Sequence, residues 1–207
     1  MDINQLLKRS TELDEALRFL LTLEPYDDSK RLEASRVMCG VAIEHAQSLK
    51  ILLGARNYTS ATSLARLQYE IFVRAMWLFY AADDISLAKI TKELTQENEK
   101  KANDLPMLSD MIKHLNGKAP ESAVAMINEF KTYSWKSLSS YVHGGIHALN
   151  RHGKGYPTSL IVQIIKMSNG ISTMTAMLLA IISGDALVTG AISKIQTEFK
   201  DCLPELK

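Results

Sequence analysis

Three charged residues stand at regular spacing in an otherwise apolar stretch of the chain. Residues 64–82 read LARLQYEIFVRAMWLFYAA, and the charged residues among them are Arg66, Glu70 and Arg74. Positions i, i+4 and i+8 fall on one narrow stripe of an α-helix. A helix that is apolar nearly all round is buried, and buried charges are either paired or costly. One carboxylate between two guanidinium groups leaves a positive charge that needs a further partner.

Two interpretations of this Arg-Glu-Arg stripe are open. In the first, the stripe is a salt-bridged strip that fixes its helix against neighbours such as Glu44 or Glu129. In the second, Glu70 holds one arginine, while the other presents its donors to an anionic ligand such as phosphate. Guanidinium groups suit that role because their forked donors match the oxygens of phosphate.

A second cluster of reactive side chains lies in the segment YVHGGIHALNRH, residues 141–152. His143 and His147 are four residues apart and would share one face of a helix, which is a possible metal spacing. However, adjacent glycines make a poor helix interior and no neighbouring carboxylate offers a third ligand, so no metal or cofactor is predicted. The glycines indicate close approach by another helix or by a ligand. Each histidine is then either a packing residue or a proton-transfer and anion-binding group.

The net charge of +1 hides an uneven distribution along the chain. Residues 130–184 contain no Asp or Glu, but they carry five basic residues, so the rest of the chain has a net charge of −4. A buried apolar helix explains the missing acids after residue 160, but not the basic part before it. Such a region favours phosphate, nucleotide or RNA ligands. The expected anion-binding residues are His147, Arg151 and Lys154.

Helical periodicity runs through nearly all of the 207 residues, and the composition, 46% hydrophobic and 23% charged, is typical of a globular protein. This composition excludes disordered, collagen-like and disulfide-scaffold classes. The predicted fold is an all-α, single-domain multi-helix bundle over residues 1–207, with a polar excursion at about 87–118. Capping and breaking residues predict a fourth helix from Asp83 to Lys101. They predict a sixth helix from Pro120 to the glycines at 151–155, with a bend near Ser134. A seventh helix is predicted to begin at Pro157 and to have a kink at Asn169–Gly170.

Cellular location is predicted from the cysteines and the apolar segments. Cys39 and Cys202 have no metal or redox spacing, and the N-terminal residues do not form a secretory signal. Segment 71–82 is too short to span a bilayer, and segment 167–184 is too polar. We therefore expect a cytoplasmic protein that does not enter a membrane.

Together, the Arg66–Glu70–Arg74 helix followed by Trp77 and the later YVHGGIHAL segment resemble a bacterial group of all-α proteins related to the HEPN domain. The resemblance covers about residues 58–152. It implies a helical bundle, a homodimer, and metal-independent ribonuclease activity in a bacterial defence or toxin setting, with an antitoxin protein as partner. The HEPN catalytic signature is an arginine followed after four to six residues by a histidine. Here Lys136 takes the place of that arginine, with six residues between it and His143.

The catalytic residues that this resemblance implies are His143, Arg74, Arg66, Glu70 and Lys136. His143 would act as general acid or base on RNA, the cationic side chains would stabilise the transition state, and Glu70 would orient the arginines. Because lysine lacks the forked donors of arginine, the sequence leaves enzymatic activity open. The alternatives are an RNA-phosphate or nucleotide-binding module without activity, a helical interaction or dimerisation protein, and a small-anion-binding bundle.

Overall fold

Helices account for almost all of the regular structure in the computed structural model, which describes residues 2–102 and 104–205, with the backbone alone at 101 and 102. No strand occurs in this part of the chain, so the predicted all-α class is confirmed. Short 3₁₀ helices, Arg18–Thr22 and Lys200–Cys202, follow α1 and α10. The helices are α1 (Ile3–Leu17), α2 (Lys30–Gly54), α3 (Tyr58–Tyr80), α4 (Asp84–Ile90), α5 (Gln96–Ala102), α6 (Leu108–Leu115), α7 (Glu121–Val142), α8 (Ile146–Lys154), α9 (Thr158–Ser183) and α10 (Ala186–Glu198).

Polar caps and prolines set most of the helix starts. The side chains of Asp2, Ser29 and Asp83 each accept a hydrogen bond from a backbone N–H in the first turn of the helix that follows. Pro120 and Pro157 stand immediately before α7 and α9. The starts at Asp83, Pro120 and Pro157 are those that the sequence predicts, because each of these residues satisfies or removes a backbone donor that the helix leaves unpaired.

The third helix, α3, lies at the centre of the bundle. It packs against α2, α6, α7 and α9, and its Tyr69, Phe72 and Trp77 are among the largest fully buried side chains. The helices α7 and α9 flank it and make little direct contact with each other. This arrangement leaves a groove between α7 and α9 whose floor is α3.

One helix of the described residues, α9, is long and apolar enough to cross a membrane by length and composition. In this bundle 72% of its most apolar window is buried. It packs against α1, α2, α3 and α10, which is the environment of a core helix.

The predicted fourth helix and polar excursion differ from the structure. The stretch divides into α4 and α5, separated by an exposed turn around Leu94. Its last part, α6, buries Met111, Ile112 and Leu115 and packs against α3. An apolar face at helical spacing therefore places α6 in the core, although its surroundings in the sequence are polar.

The predicted sixth and seventh helices also differ. Instead of bending near Ser134 and continuing to the glycines after residue 150, the sixth ends at Val142, and a separate helix, α8, follows. The seventh, α9, passes through Asn169 and Gly170 as one continuous helix. Gly170 has a packing role there, because a Cβ atom at this position would lie 2.9 Å from Pro204 Cγ.

Candidate functional site

Arg66 is held on every side by neighbours from α3 and α7. Its Nη1 lies 2.9 Å from Glu70 Oε2, and its Nε donates to Ser139 Oγ at 3.0 Å. The guanidinium carbon also lies 4.2 Å from the ring centroid of Trp135, a cation–π contact. The side chain is only 13% exposed. Arg66 therefore ties α3 to α7, as the structural interpretation of the stripe requires.

Glu44 and Glu129, which the sequence suggests as partners of the Arg-Glu-Arg stripe, do not take part in this arrangement. Glu44 and Glu129 are exposed, and neither forms an ion pair with the stripe among the described residues. The partners are instead a hydroxyl and an indole ring. The sequence does not single them out, because Trp135 carries no signal and Ser139 is one of several hydroxyl residues before the His-Gly segment.

Arg74 has a different environment from Arg66. It is half-buried, and its Nε has no hydrogen-bond partner, while the buried Nε1 of Trp77 is also unpartnered. Arg74 forms no ion pair in the described part of the chain, and the nearby Glu70 pairs with Arg66. Glu70 thus belongs to one arginine rather than bridging both.

The direction of α7 separates Arg74 from His143. Arg66 meets Ser139, whereas Tyr69 donates its hydroxyl to the Ile127 carbonyl at 2.8 Å, so α3 and α7 run antiparallel. Arg74 lies eight residues beyond Arg66, about 12 Å along α3, and therefore farther from His143 at the end of α7. The structure does not bring the two arginines and His143 to one point.

The glycines after His143 turn the chain between two helices. Gly144 adopts a left-handed conformation, with φ of +65°, and Gly145 donates to the Ser140 carbonyl at 2.7 Å. The Ser140 hydroxyl accepts the backbone N–H of His147 at 3.0 Å, and a Cβ on Gly145 would lie 2.6 Å from that hydroxyl oxygen. His143 caps the C-terminus of α7 and His147 lies in α8, so the predicted shared helix face is wrong.

Beyond this turn, α8 presents a basic surface. We call it the basic end, and define it as Lys136, His143, His147, Arg151, His152 and Lys154. All six are exposed except Arg151, which is half-buried. Lys136 precedes His143 by about two turns of α7, or roughly 10 Å. In the described residues no cation of the basic end forms an ion pair, and no group of three or more His, Cys, Asp or Glu side chains is placed to hold a metal.

Tyr141 anchors the basic end to the core. It is 5% exposed, and its ring lies 6.1 Å from that of His147 and 6.2 Å from that of Tyr156. Burial raises the pKa of Tyr141, while the neighbouring Arg151 acts in the opposite direction. The phenol therefore remains protonated near neutral pH and can donate a hydrogen bond.

Comparison with known proteins adds a family but no function. A family model matches residues 39–205, which include the Arg-Glu-Arg stripe and the whole basic end. The chain belongs to the family of unknown function DUF6988. No curated protein and no solved structure matches it significantly.

Within the region that matches DUF6988, the structure adds residues that the sequence did not single out. Trp135, Ser139 and Ser140 position Arg66 and the α7–α8 turn. The serines precede the His-Gly segment as part of a hydroxyl-rich stretch, and that crowding is the only sequence signal for them. The groove between α7 and α9 has no sequence signal, because its walls are distant in the chain.

Proposed function

We propose that this DUF6988 protein binds single-stranded RNA through its phosphate groups at the basic end. The observation that carries the proposal is a surface of basic and histidine side chains in which no cation is neutralised by an ion pair within the described residues. Unpaired cations on an exposed surface attract phosphates and release the counterions condensed on the nucleic acid.

The extent of the surface favours a polymer over a mononucleotide. Its cations run from Lys136 on α7 across the turn to Lys154 at the end of α8, which is wider than a single phosphate group. An exposed aromatic side chain, Tyr133, lies one turn before Lys136. Aromatic side chains beside a basic track are typical of single-strand binding, because unpaired bases stack on them.

We propose binding and not cleavage, because the catalytic residues that the HEPN resemblance implies are not gathered. The guanidinium group of Arg66 already interacts with Glu70, Ser139 and Trp135. Arg74 lies farther along α3, away from His143. Only Lys136 accompanies His143 on α7. The HEPN relationship, the homodimer, and the defence or toxin setting with its antitoxin partner remain predictions.

The test is fluorescence anisotropy of a labelled single-stranded RNA, titrated with the full chain at several salt concentrations. We expect binding that weakens as salt rises, with a slope of roughly −0.7 per phosphate contacted. Lys136→Gln and Lys154→Gln should each weaken binding and reduce that slope. Lys8→Gln, an exposed lysine on α1, is the matched control and should leave both unchanged.

Two results would overturn the proposal. One is the absence of binding at low salt. The other is an equal loss in Lys8→Gln, which would mean that RNA associates with the whole surface. The same RNA incubated in EDTA with wild type and His143→Ala also reports cleavage directly. Cleavage that depends on His143 would replace the binding proposal with the ribonuclease prediction.

A further inference from the structure

Two adjoining cavities lie in the groove between α7 and α9. Their volumes are about 430 Å³ and about 190 Å³, and both are lined by Tyr133, Ser134, Gln163 and Met167. Ligand sites commonly occupy 300–1,000 Å³. Along α9 the lining extends from residue 159 to residue 174, roughly 23 Å at 1.5 Å per residue. The groove is therefore elongated and suits a chain-like ligand.

The larger cavity is mostly apolar. Phe72, Ile127, Phe130, Met167, Ile171 and Met174 are among the residues that line it. Methionine side chains adapt to irregular apolar ligands because they are unbranched and polarizable. Glu129 and Glu205 also line this cavity, together with Lys166. Its chemistry favours an apolar tail, and the two carboxylates disfavour an anionic group there.

The smaller cavity is more polar, although Leu138, Leu160 and Ile164 also line it. Tyr141, His147 and Arg151 line it, and no carboxylate does so. Arg151 forms no ion pair with any described residue, and the hydroxyl of Ser137 lies in the same lining. A half-buried guanidinium group beside hydroxyl donors is suited to a carboxylate or a phosphate.

We propose that this groove binds a single-chain amphipathic anion, with its apolar tail in the larger cavity and its anionic head at Arg151. The separation of apolar and cationic linings sets the orientation. The proposal goes beyond RNA binding. Its tail site contains none of the residues of the basic end, whereas its head site shares His147 and Arg151 with the basic end. The anionic head is a carboxylate or a phosphate.

Isothermal titration calorimetry and thermal unfolding of the full chain test this with laurate, lauryl phosphate, lauryl alcohol and acetate. We expect laurate or lauryl phosphate to bind and raise Tm, lauryl alcohol to bind more weakly, and acetate to have no effect. The stronger of the two charged ligands identifies the preferred head. No heat and no shift in Tm with either charged ligand would overturn the proposal.

Variants separate the tail site from the head site. Met167→Trp fills the position shared by both cavities. It should abolish laurate binding and leave the RNA anisotropy unchanged. If Met167→Trp does not fold, Met174→Phe serves as the variant that fills the larger cavity. Arg151→Gln should weaken laurate binding about tenfold, a loss of roughly 1.4 kcal/mol, and leave lauryl alcohol unaffected. The control is Lys131→Gln, a cation on α7 outside both linings.

Two outcomes of these variants count against the proposal. If Lys131→Gln loses as much affinity as Arg151→Gln, the association is nonspecific and detergent-like. If light scattering shows a dimer that Met167→Trp converts to a monomer, the groove is covered by a second copy of the chain and not by a small ligand.

Discussion

Arg66 and Arg74 stand four residues before and four after Glu70, yet α3 gives them different partners. Arg66 has an ion pair, a hydrogen bond and a cation–π contact, whereas Arg74 retains a buried Nε without a partner. Replacing a satisfied buried group leaves its partners unpaired, but replacing an unsatisfied donor by an apolar group removes a cost.

We therefore expect different effects from the same substitution at the two arginines. Arg66→Met should lower the free energy of unfolding by about 2–3 kcal/mol, because Glu70 loses a charged hydrogen bond and Ser139 its donor. Arg74→Met should change it by less than about 1 kcal/mol. Urea unfolding followed by circular dichroism measures both, and equal losses would show that Arg74 has partners as important as those of Arg66.

The two cysteines are both buried and free. Burial raises the pKa of Cys39 above its usual range and that of Cys202 to about 11. Because the thiolate is the reactive form, both thiols stay protonated and inert at pH 8 in the folded protein. We expect no reaction with Ellman's reagent under native conditions and rapid reaction of both thiols in urea. Rapid modification of the native protein would contradict the burial of these residues.

At the scale of elements, two helical glycines provide a matched comparison. A Cβ at Gly170 in α9 would lie 2.9 Å from Pro204, whereas a Cβ at Gly190 in α10 would meet nothing within 4 Å. Gly190→Ala should raise the free energy of unfolding by about 0.5–1 kcal/mol through helix propensity. Gly170→Ala should lower it by about 1 kcal/mol or more, since the C-terminal segment must shift. A gain in both variants in urea unfolding would show that the contact with Pro204 is unimportant.

These glycines also show where sequence reasoning about elements succeeds and fails. Prolines and polar caps predict the starts of α7 and α9 because their effect on the backbone is local. The break at Gly144 depends on a positive φ, and the continuity of α9 through Gly170 depends on a contact with distant Pro204. Gly144 and Gly170 are both simply glycines in the sequence. The sequence therefore does not tell a glycine that allows a turn from one that allows a close contact.

At the scale of the whole molecule, the acid-free segment divides into two parts. Its apolar part becomes the buried helix α9, and its basic part becomes the end of α7 and the whole of α8. The sequence predicts this surface of cations because charge is read directly from composition. It does not predict the groove, which exists because α7 and α9 pack against α3 and hardly against each other.

The first helix, α1, lies before the residues that match the DUF6988 model, but it is part of the same core. Its Leu6, Leu13 and Leu17 are at most 5% exposed. Two of its polar side chains also bind buried polar residues on α9 and α2. Ser10 Oγ accepts from Asn169 Nδ2 at 2.8 Å, and Asp14 forms an ion pair with the buried Lys50.

Deletion of residues 2–28 should therefore abolish cooperative folding. Each lost leucine contact costs about 1.5–3 kcal/mol. The deletion also leaves the buried Lys50 without its ion-pair partner, at about 1–3 kcal/mol or more. Asn169 Nδ2 loses Ser10 and keeps only the Cys202 carbonyl as an acceptor. Together these losses are comparable with the roughly 5–15 kcal/mol that stabilise a domain. Thermal unfolding followed by circular dichroism should show no sharp transition for the deleted chain.

A protease site placed in the exposed connection at residues 24–28 separates the loss of α1 from the loss of chain continuity. The cut chain keeps every contact of α1, so it should retain the helical signal and a cooperative transition, and α1 should co-elute with the rest of the protein. Cooperative unfolding of the deletion variant at the wild-type temperature would show that the matched region folds without α1. Unfolding of the cut chain would show instead that α1 acts through its covalent link and not through Leu13, Ser10 and Asp14.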